Sequence, residues 1–169
     1  MNYFFTADEH YGHHNIIKYC NRPFESTRDM NEILISNHND IVRANDSVWH
    51  LGDFTLGSKS TAYRYLDRLN GNHHCIRGSH DYWMDKGFKE IGELKIDGQT
   101  IILCHYAMRT WAKSHYNSWQ LYGHSHGTLE PVGKQWDIGV DNNNFYPLSF
   151  EDLKRIMESR SDNPGLVKR

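Results

Sequence analysis

The chain has 169 residues, 38% of them hydrophobic, with a formal net charge of -2. That length accommodates one domain whose core needs no disulfide staples, and the near-balanced charge argues against a broad basic face that wraps duplex DNA. Cys20, Cys75 and Cys104 are widely spaced and odd in number, which suits reduced thiols better than a disulfide framework or a cysteine-rich zinc site.

Taken in chain order, Tyr3 to Thr6 is a short apolar run that predicts a buried strand ending at Ala7-Asp8. Asn15 to Cys20 allows one or two helical turns before Pro23, and Thr27 to Arg43 places Met30, Ile33, Leu34, Ile41 and Val42 at helical spacing. Ser47 to Leu51 predicts a second buried strand followed by Gly52-Asp53, and Ser60 to Leu69 a helix burying Tyr63, Leu66 and Leu69. A third strand is expected from His74 to Arg77, leading into Gly78-Ser79-His80-Asp81. Glu90 to Ile96 and Gln99 to Cys104 flank Asp97-Gly98, the strongest hairpin signal in the chain, and the second arm ends at His105. Trp119 to Tyr122 predicts a strand before Gly123-His124, Trp136 to Val140 a late sheet edge, and Ser149-Phe150-Glu151-Asp152 the cap of a helix running to about Glu158. These elements make a single domain over residues 1–158, with Ser159 to Arg169 reading as a flexible, frayed tail. Trp111, Tyr116 and Trp119 are open to three readings: a substrate wall, a dimer contact or an aromatic-packed loop.

The polar residues that follow these strands are chemically uniform. Asp8, His10, Asp53, His105, His124 and His126 are imidazoles and carboxylates, the nitrogen and oxygen donors that bind divalent transition metals. A closed structural zinc site uses four ligands. Six donors delivered by separate strand ends fit two open metal positions better.

Together, Asp8-Glu9-His10, Gly52-Asp53, Gly78-Ser79-His80-Asp81, His105 and Gly123-His124-Ser125-His126 resemble, in order, the motifs of the calcineurin-like metallophosphoesterase superfamily, in particular its small bacterial and bacteriophage members. The resemblance covers roughly Tyr3 to Glu158. It implies a four-layer α/β/β/α sandwich with two mixed β-sheets, whereas periodicity alone supports only an α/β class. It also implies that Asp8, His10 and His126 hold one metal, that His105 and His124 hold another, and that Asp53 bridges them. The implied cofactors are two divalent ions, manganese foremost, with iron, nickel, zinc or magnesium compatible with the same ligands. The implied reaction is hydrolysis of phosphodiesters or phosphomonoesters by in-line attack of a metal-bridging hydroxide, the ions standing about 3.5 to 4 Å apart.

By the same resemblance, His80 faces the phosphate, stabilises the charge of the displacement and protonates the departing oxygen. The sequence departs from the family at Ser79, where asparagine usually supplies an amide oxygen to the second metal. It departs again at Leu56, where larger relatives carry an aspartate that orients the histidine; Asp81 or another acceptor must then orient His80, unless its orientation is looser. His13, in His10-Tyr11-Gly12-His13, is a candidate phosphate contact, and Arg77 and Arg109 are candidate phosphate clamps through bidentate geometry.

Two rivals remain at this stage. One is a nuclease or cyclic-nucleotide phosphodiesterase. The other is a non-catalytic binding protein whose second metal site decayed at Ser79. The expected partner is a small phosphoester or short nucleotide, with no extensive duplex binding, and the expected state is a monomer or homodimer. The start of the chain, MNYFFTADEH, lacks the basic and apolar segments of a secretory signal, and no stretch is long and apolar enough to span a membrane, so the expected location is cytoplasmic.

Overall fold

The computed structural model describes residues 1–85 and 87–167. Its elements run β1 (Tyr3–Thr6), α1 (His14–Tyr19), α2 (Thr27–Ile41), β2 (Ser47–His50), α3 (Lys59–Leu66), β3 (Asn72–Cys75), β4 (Ile91–Ile96), β5 (Gln99–Cys104), β6 (Trp119–Tyr122), β7 (Gln135–Asp137), β8 (Leu148–Ser149) and α4 (Phe150–Ser159). The strands form two four-stranded sheets in the orders β3-β2-β1-β8 and β4-β5-β6-β7. Both are mixed: β8 runs antiparallel to β1, and β4 runs antiparallel to β5, while the other neighbours are parallel. The architecture is α/β, with four helices and two mixed sheets, consistent with the four-layer α/β/β/α sandwich.

Strand alternation decides which side chains meet. Phe5, Leu51 and Ile76 turn inward from the first sheet against Ile101, Leu103 and Leu121 of the second, and Phe150, Leu153 and Met157 of α4 join the same core. Phe4 and Val48 point the other way and meet Val42. Above that outer face, Ile16 of α1, Met30, Leu34 and Ile35 of α2 and Ala62 of α3 pack with Tyr11 and Phe54. Each fully buried Leu, Ile or Phe contributes roughly 1.5–3 kcal/mol by leaving water.

Local chemistry accounts for the helix starts. Ser26, Ser58 and Ser149 each accept a bond from the backbone N–H three residues on, at 3.1, 3.3 and 3.1 Å. The Ser58 cap starts α3 at Lys59, earlier than the expected Ser60, and turns Ala62 inward, leaving Tyr63 47% exposed rather than buried. In the β4–β5 hairpin, Asp97 and Gly98 both have positive φ, as a two-residue type I′ turn requires.

Three expectations need correction. β3 ends at Cys75, two residues before the predicted boundary, because Ile76 leaves the ladder to bridge Lys89. β7 ends at Asp137, where the carboxylate turns back to bind Gly139 N–H at 2.8 Å and stops the strand. The segment after Ser159 is tied down rather than frayed as far as residue 167: Asn163 is 3% exposed and donates to Ser114 O and Ser118 O at 3.0 and 2.8 Å. Residues 168–169 of the expected tail lie outside the described residues.

Of the three aromatics between the last two histidine motifs, Trp111 and Trp119 are packed, the latter as the first residue of β6, while Tyr116 is exposed. Trp111 is 8% exposed and donates to Ser118 O, Trp119 joins the inter-sheet core, and the Gln120 and Gln135 side chains hold the carbonyls of Tyr106 and Met108. Among the described residues no helix is long and apolar enough to cross a membrane.

His38 of α2, His50 of β2 and His73 of β3 cluster with ring centroids 5.1 to 6.3 Å apart. His38 Nε2 donates to Asn70 O at 2.8 Å, and His50 joins His73 at 2.9 Å. Burial pushes His38 down to about 4 and His73 down to about 3. The folded state therefore keeps both rings neutral where the unfolded chain, near 6.5, takes up protons. Stability is expected to fall as pH drops from 6.5 toward 4, with the unfolded state binding more protons across that window. The double variant H38Q/H73Q should show a shallower decline of Tm with acidification over that range by scanning calorimetry; an unchanged slope would rule the two rings out as its source.

Candidate metal centre

Parallel strands deliver the polar motifs to one edge. Asp8 and His10 follow β1, Asp53 follows β2, and Gly78 to Asp81 follow β3; in the second sheet His105 follows β5 and His124 and His126 follow β6. The two edges are stitched together where Val140 N–H donates to Ala7 O at 3.0 Å and His124 N–H donates to the Asp8 carboxylate at 2.9 Å.

The six predicted donors converge as two groups, Asp8/His10/His126 and Asp53/His105/His124, each with its ligand atoms within 4.8 Å of one another. Asp53 Oδ2 stands between them, 3.7 Å from His10 Nε2 and 3.3 Å from His105 Nε2. Both of these nitrogens are buried and have no hydrogen-bond partner; among the described residues Glu9 Oε2 is the third such atom. A buried ring nitrogen without a partner is costly in a protein interior. A divalent cation would satisfy both nitrogens, so the donors present fit a dinuclear centre.

Tautomers agree with that fit. His105 Nδ1 donates to Leu51 O at 2.8 Å and His126 Nδ1 to Asp141 Oδ2 at 2.7 Å, so each ring has its other nitrogen available. Burial pushes the Asp8 carboxyl up to about 7, against the pull of His126 and His105. Burial also works to raise Asp53, but the nearby His105 and His10 imidazoles and the His80 backbone N–H outweigh it and hold Asp53 well below the ordinary carboxylate range. Burial lowers His10 to about 3 and leaves it a neutral imidazole.

The backbone at the site is strained. Asp8, His10, Asp53, His124 and His126 all have positive φ, between 47° and 66°. Each such residue costs roughly 1–2 kcal/mol, and this clustering at the donors is the pattern seen where function over-determines geometry. Close approach explains the flanking glycines at two positions. A Cβ on Gly78 would lie 2.4 Å from Asp53 N and Oδ1, and one on Gly123 would lie 2.6 Å from Asp8 Oδ2.

A model of the calcineurin-like phosphoesterase superfamily domain matches residues 1–136. The chain belongs to that superfamily. An uncharacterized protein of Methanocaldococcus jannaschii is 33% identical over 164 residues, which span 92% of this chain and 90% of the relative. A protein of unknown function from Aquifex aeolicus has a similar solved structure, with TM-score 0.72 and 21% identity over 92% of this chain and 98% of that one. Vps29 from Entamoeba histolytica is similar at TM-score 0.50 and 20% identity, over 82% of this chain and 73% of that one. The last two likenesses concern the fold.

Within this member of the superfamily, the remaining predicted residues take distinct places. The His80 ring is 40% exposed, with Nε2 3.9 Å from Asp53 Oδ2, and its backbone N–H donates to Asp53 Oδ1 at 2.8 Å. Asp81 does not orient that ring. Its carboxylate accepts from Asp53 N, Phe54 N, Gly78 N and Trp83 Nε1, all within 3.0 Å, and so clamps two motif loops together. Ser79 Oγ donates to the Asp53 carboxylate at 3.1 Å. His13 lines the cleft, its Nδ1 3.4 Å from His10 Nδ1. Arg77 lines a neighbouring groove with Ser79 and Tyr106, while Arg109 is exposed and lines neither of these two depressions.

Sequence reasoning missed the supports behind these donors. Asp137 accepts from Gly127 N and Gly139 N at 2.9 and 2.8 Å, fixing the loop that carries His124 and His126. Glu9, between the candidate donors Asp8 and His10, turns away from the cleft and meets His50 Nδ1 at 2.7 Å. Its place inside Asp8-Glu9-His10 was the one available signal, and it was silent about His50.

Proposed function

We propose that the protein is a dinuclear metal-dependent phosphoesterase acting on phosphodiesters or phosphomonoesters. One observation carries this reading: Asp53 Oδ2 lies between the buried, unpartnered Nε2 atoms of His10 and His105, which belong to separate donor groups. Two divalent ions, manganese foremost and iron, nickel, zinc or magnesium on the same ligand chemistry, would neutralise phosphoryl charge and acidify water. In this reading Asp8, His10 and His126 hold one ion, His105 and His124 hold the other, and Asp53 is shared.

His80 stands at the rim of a cleft of about 810 Å³ that is also lined by His13, Tyr19, Ser125 and Leu129. From there it delivers a proton to the leaving oxygen while His13 contacts the phosphoryl group. Arg77, one groove away, is placed to pair with a second charged group of the substrate; the exposed position of Arg109 gives it no such support. A cleft of this size suits a small phosphoester or a short nucleotide. The three cysteines are free thiols, which fits a reducing, cytoplasmic setting.

The test is metal stoichiometry on the purified protein together with manganese-dependent hydrolysis of generic phosphodiester and phosphomonoester reporters. Two bound ions with turnover are expected. At most one ion and no turnover in excess manganese would transfer the reading to a binding protein.

Ser79 favours a weakly held second ion. Its hydroxyl is spent on Asp53, and the group Asp53/His105/His124 offers three protein donors without an amide oxygen. S79N should tighten the weaker manganese equivalent by roughly tenfold, comparable to other single-contact effects at metal sites, as measured by competition titration. Equal affinities in S79N and the parent would remove Ser79 as the cause of any weakness.

A further inference from the structure

Arg22 belongs to none of the metal motifs, yet its side chain is fully enclosed. Its donors reach two places at once. Nη2 donates to Asp8 O at 2.7 Å and Nη1 to Glu9 O at 3.1 Å, which ties the guanidinium to the strained turn carrying Asp8 and His10. Nε and Nη2 also grip Asp141 as a fork, at 2.8 Å to Oδ1 and 2.7 Å to Oδ2. Asp141 Oδ2 is in turn 2.7 Å from His126 Nδ1.

Donor and acceptor inventory sets the order of this chain. A guanidinium only donates, and an ionised carboxylate only accepts. With both oxygens of Asp141 taken by Arg22, the remaining bond to His126 needs a proton on Nδ1, which leaves the Nε2 lone pair for a ligand. The His126 ring also stacks on His10 at 5.4 Å between centroids and 24° between planes. Asp8, His10 and His126 thereby share one support that reaches all three from behind.

We infer that Arg22 and Asp141 are positioning residues for the first metal group: Arg22 holds the Asp8–Glu9 carbonyls and the Asp141 carboxylate, and that carboxylate holds His126 with Nδ1 protonated and Nε2 presented to a divalent cation. The inference rests on the proposed dinuclear site, but the ring tautomer is a property of the metal-free chain. Cys20 is the other candidate ligand near His126 and Asp141.

The test uses the full chain and the near-isosteric D141N. Nitrogen-15 correlation spectra of the metal-free protein read the His126 tautomer, manganese calorimetry reads affinity, and thermal melting reports folding. The parent should show His126 protonated at Nδ1. D141N should lose that preference and bind one manganese equivalent 10- to 100-fold more weakly, the usual effect of losing a partner behind a ligand. R22K keeps the charge but not the fork, and should show a smaller loss in the same equivalent. A parent His126 protonated at Nε2, or a folded D141N with unchanged tautomer and manganese affinity, would overturn the inference, as would a variant whose only change is a lower Tm. If D141N does not fold, the parent spectrum and R22K decide. A parent that binds no manganese overturns the proposed function instead, and the tautomer alone then decides the role of Asp141.

Discussion

D53N is expected to reduce bound manganese from two equivalents to one or fewer and to lower turnover at least about 10³-fold, or ~4 kcal/mol of transition-state stabilisation. The substitution isolates charge from shape. Asparagine tolerates the left-handed backbone that Asp53 adopts at φ 56°, and its amide oxygen can still accept from the His80 backbone N–H and the Ser79 hydroxyl. What disappears is the anionic Oδ2 that faces His10 Nε2 at 3.7 Å and His105 Nε2 at 3.3 Å. Because that atom serves both donor groups, both ions should be affected rather than one. Retention of two tightly bound equivalents, by metal analysis after gel filtration, would show that Asp53 does not bridge.

H80A is expected to leave metal stoichiometry intact while lowering kcat by about 10²- to 10⁴-fold, the range of general acid catalysis. The basis is again positional. The backbone N–H that binds Asp53 survives the substitution, and the ring that is lost lies half-exposed at the cleft rim, 5.4 Å from the His10 ring between centroids. A residue that protonates the leaving oxygen matters most when that oxygen is a poor leaving group. The loss should therefore be much larger for an alkyl ester than for a nitrophenyl ester, whose phenolate departs without a proton. Equal losses on the two substrates would refute proton donation, and loss of an ion would reassign His80 to metal binding.

The contrast between these two residues follows from how each is held. Asp53 and the following Phe54 are locked by Asp81, whose four accepted bonds leave no lone pair directed at His80. His80 thus has no carboxylate partner in Asp81, and its ring retains the freedom that a rim position allows. The clamp also explains why an aspartate belongs beside His80 in Gly78-Ser79-His80-Asp81. It is needed by the backbone of another motif 28 residues earlier.

Much of the fold was legible without coordinates because its signals are local. Periodic apolar positions marked α2 and α4, the Ser149 cap marked the start of α4, and Asp97-Gly98 marked the hairpin, since each depends on residues within a few positions of one another. β8 was not legible: two residues carry no period, and its pairing with β1 depends on where α4 packs. The convergence of the six candidate donors was legible for a related reason. Parallel strands end on one edge, so chemically matched residues after successive strands are brought together by topology alone.

By itself the sequence determined the donor chemistry, the α/β class and the order in which strands present the donors. Only the tertiary structure decided which partners hold those donors in place. Arg22 and Asp141 lie 119 positions apart, Glu9 and His50 41 apart, and Asn163 and Ser114 49 apart. Such bonds depend on strand register and on the close approach of two sheet edges, and a buried charge or amide takes whichever partner that approach supplies. No periodicity or spacing encodes that choice.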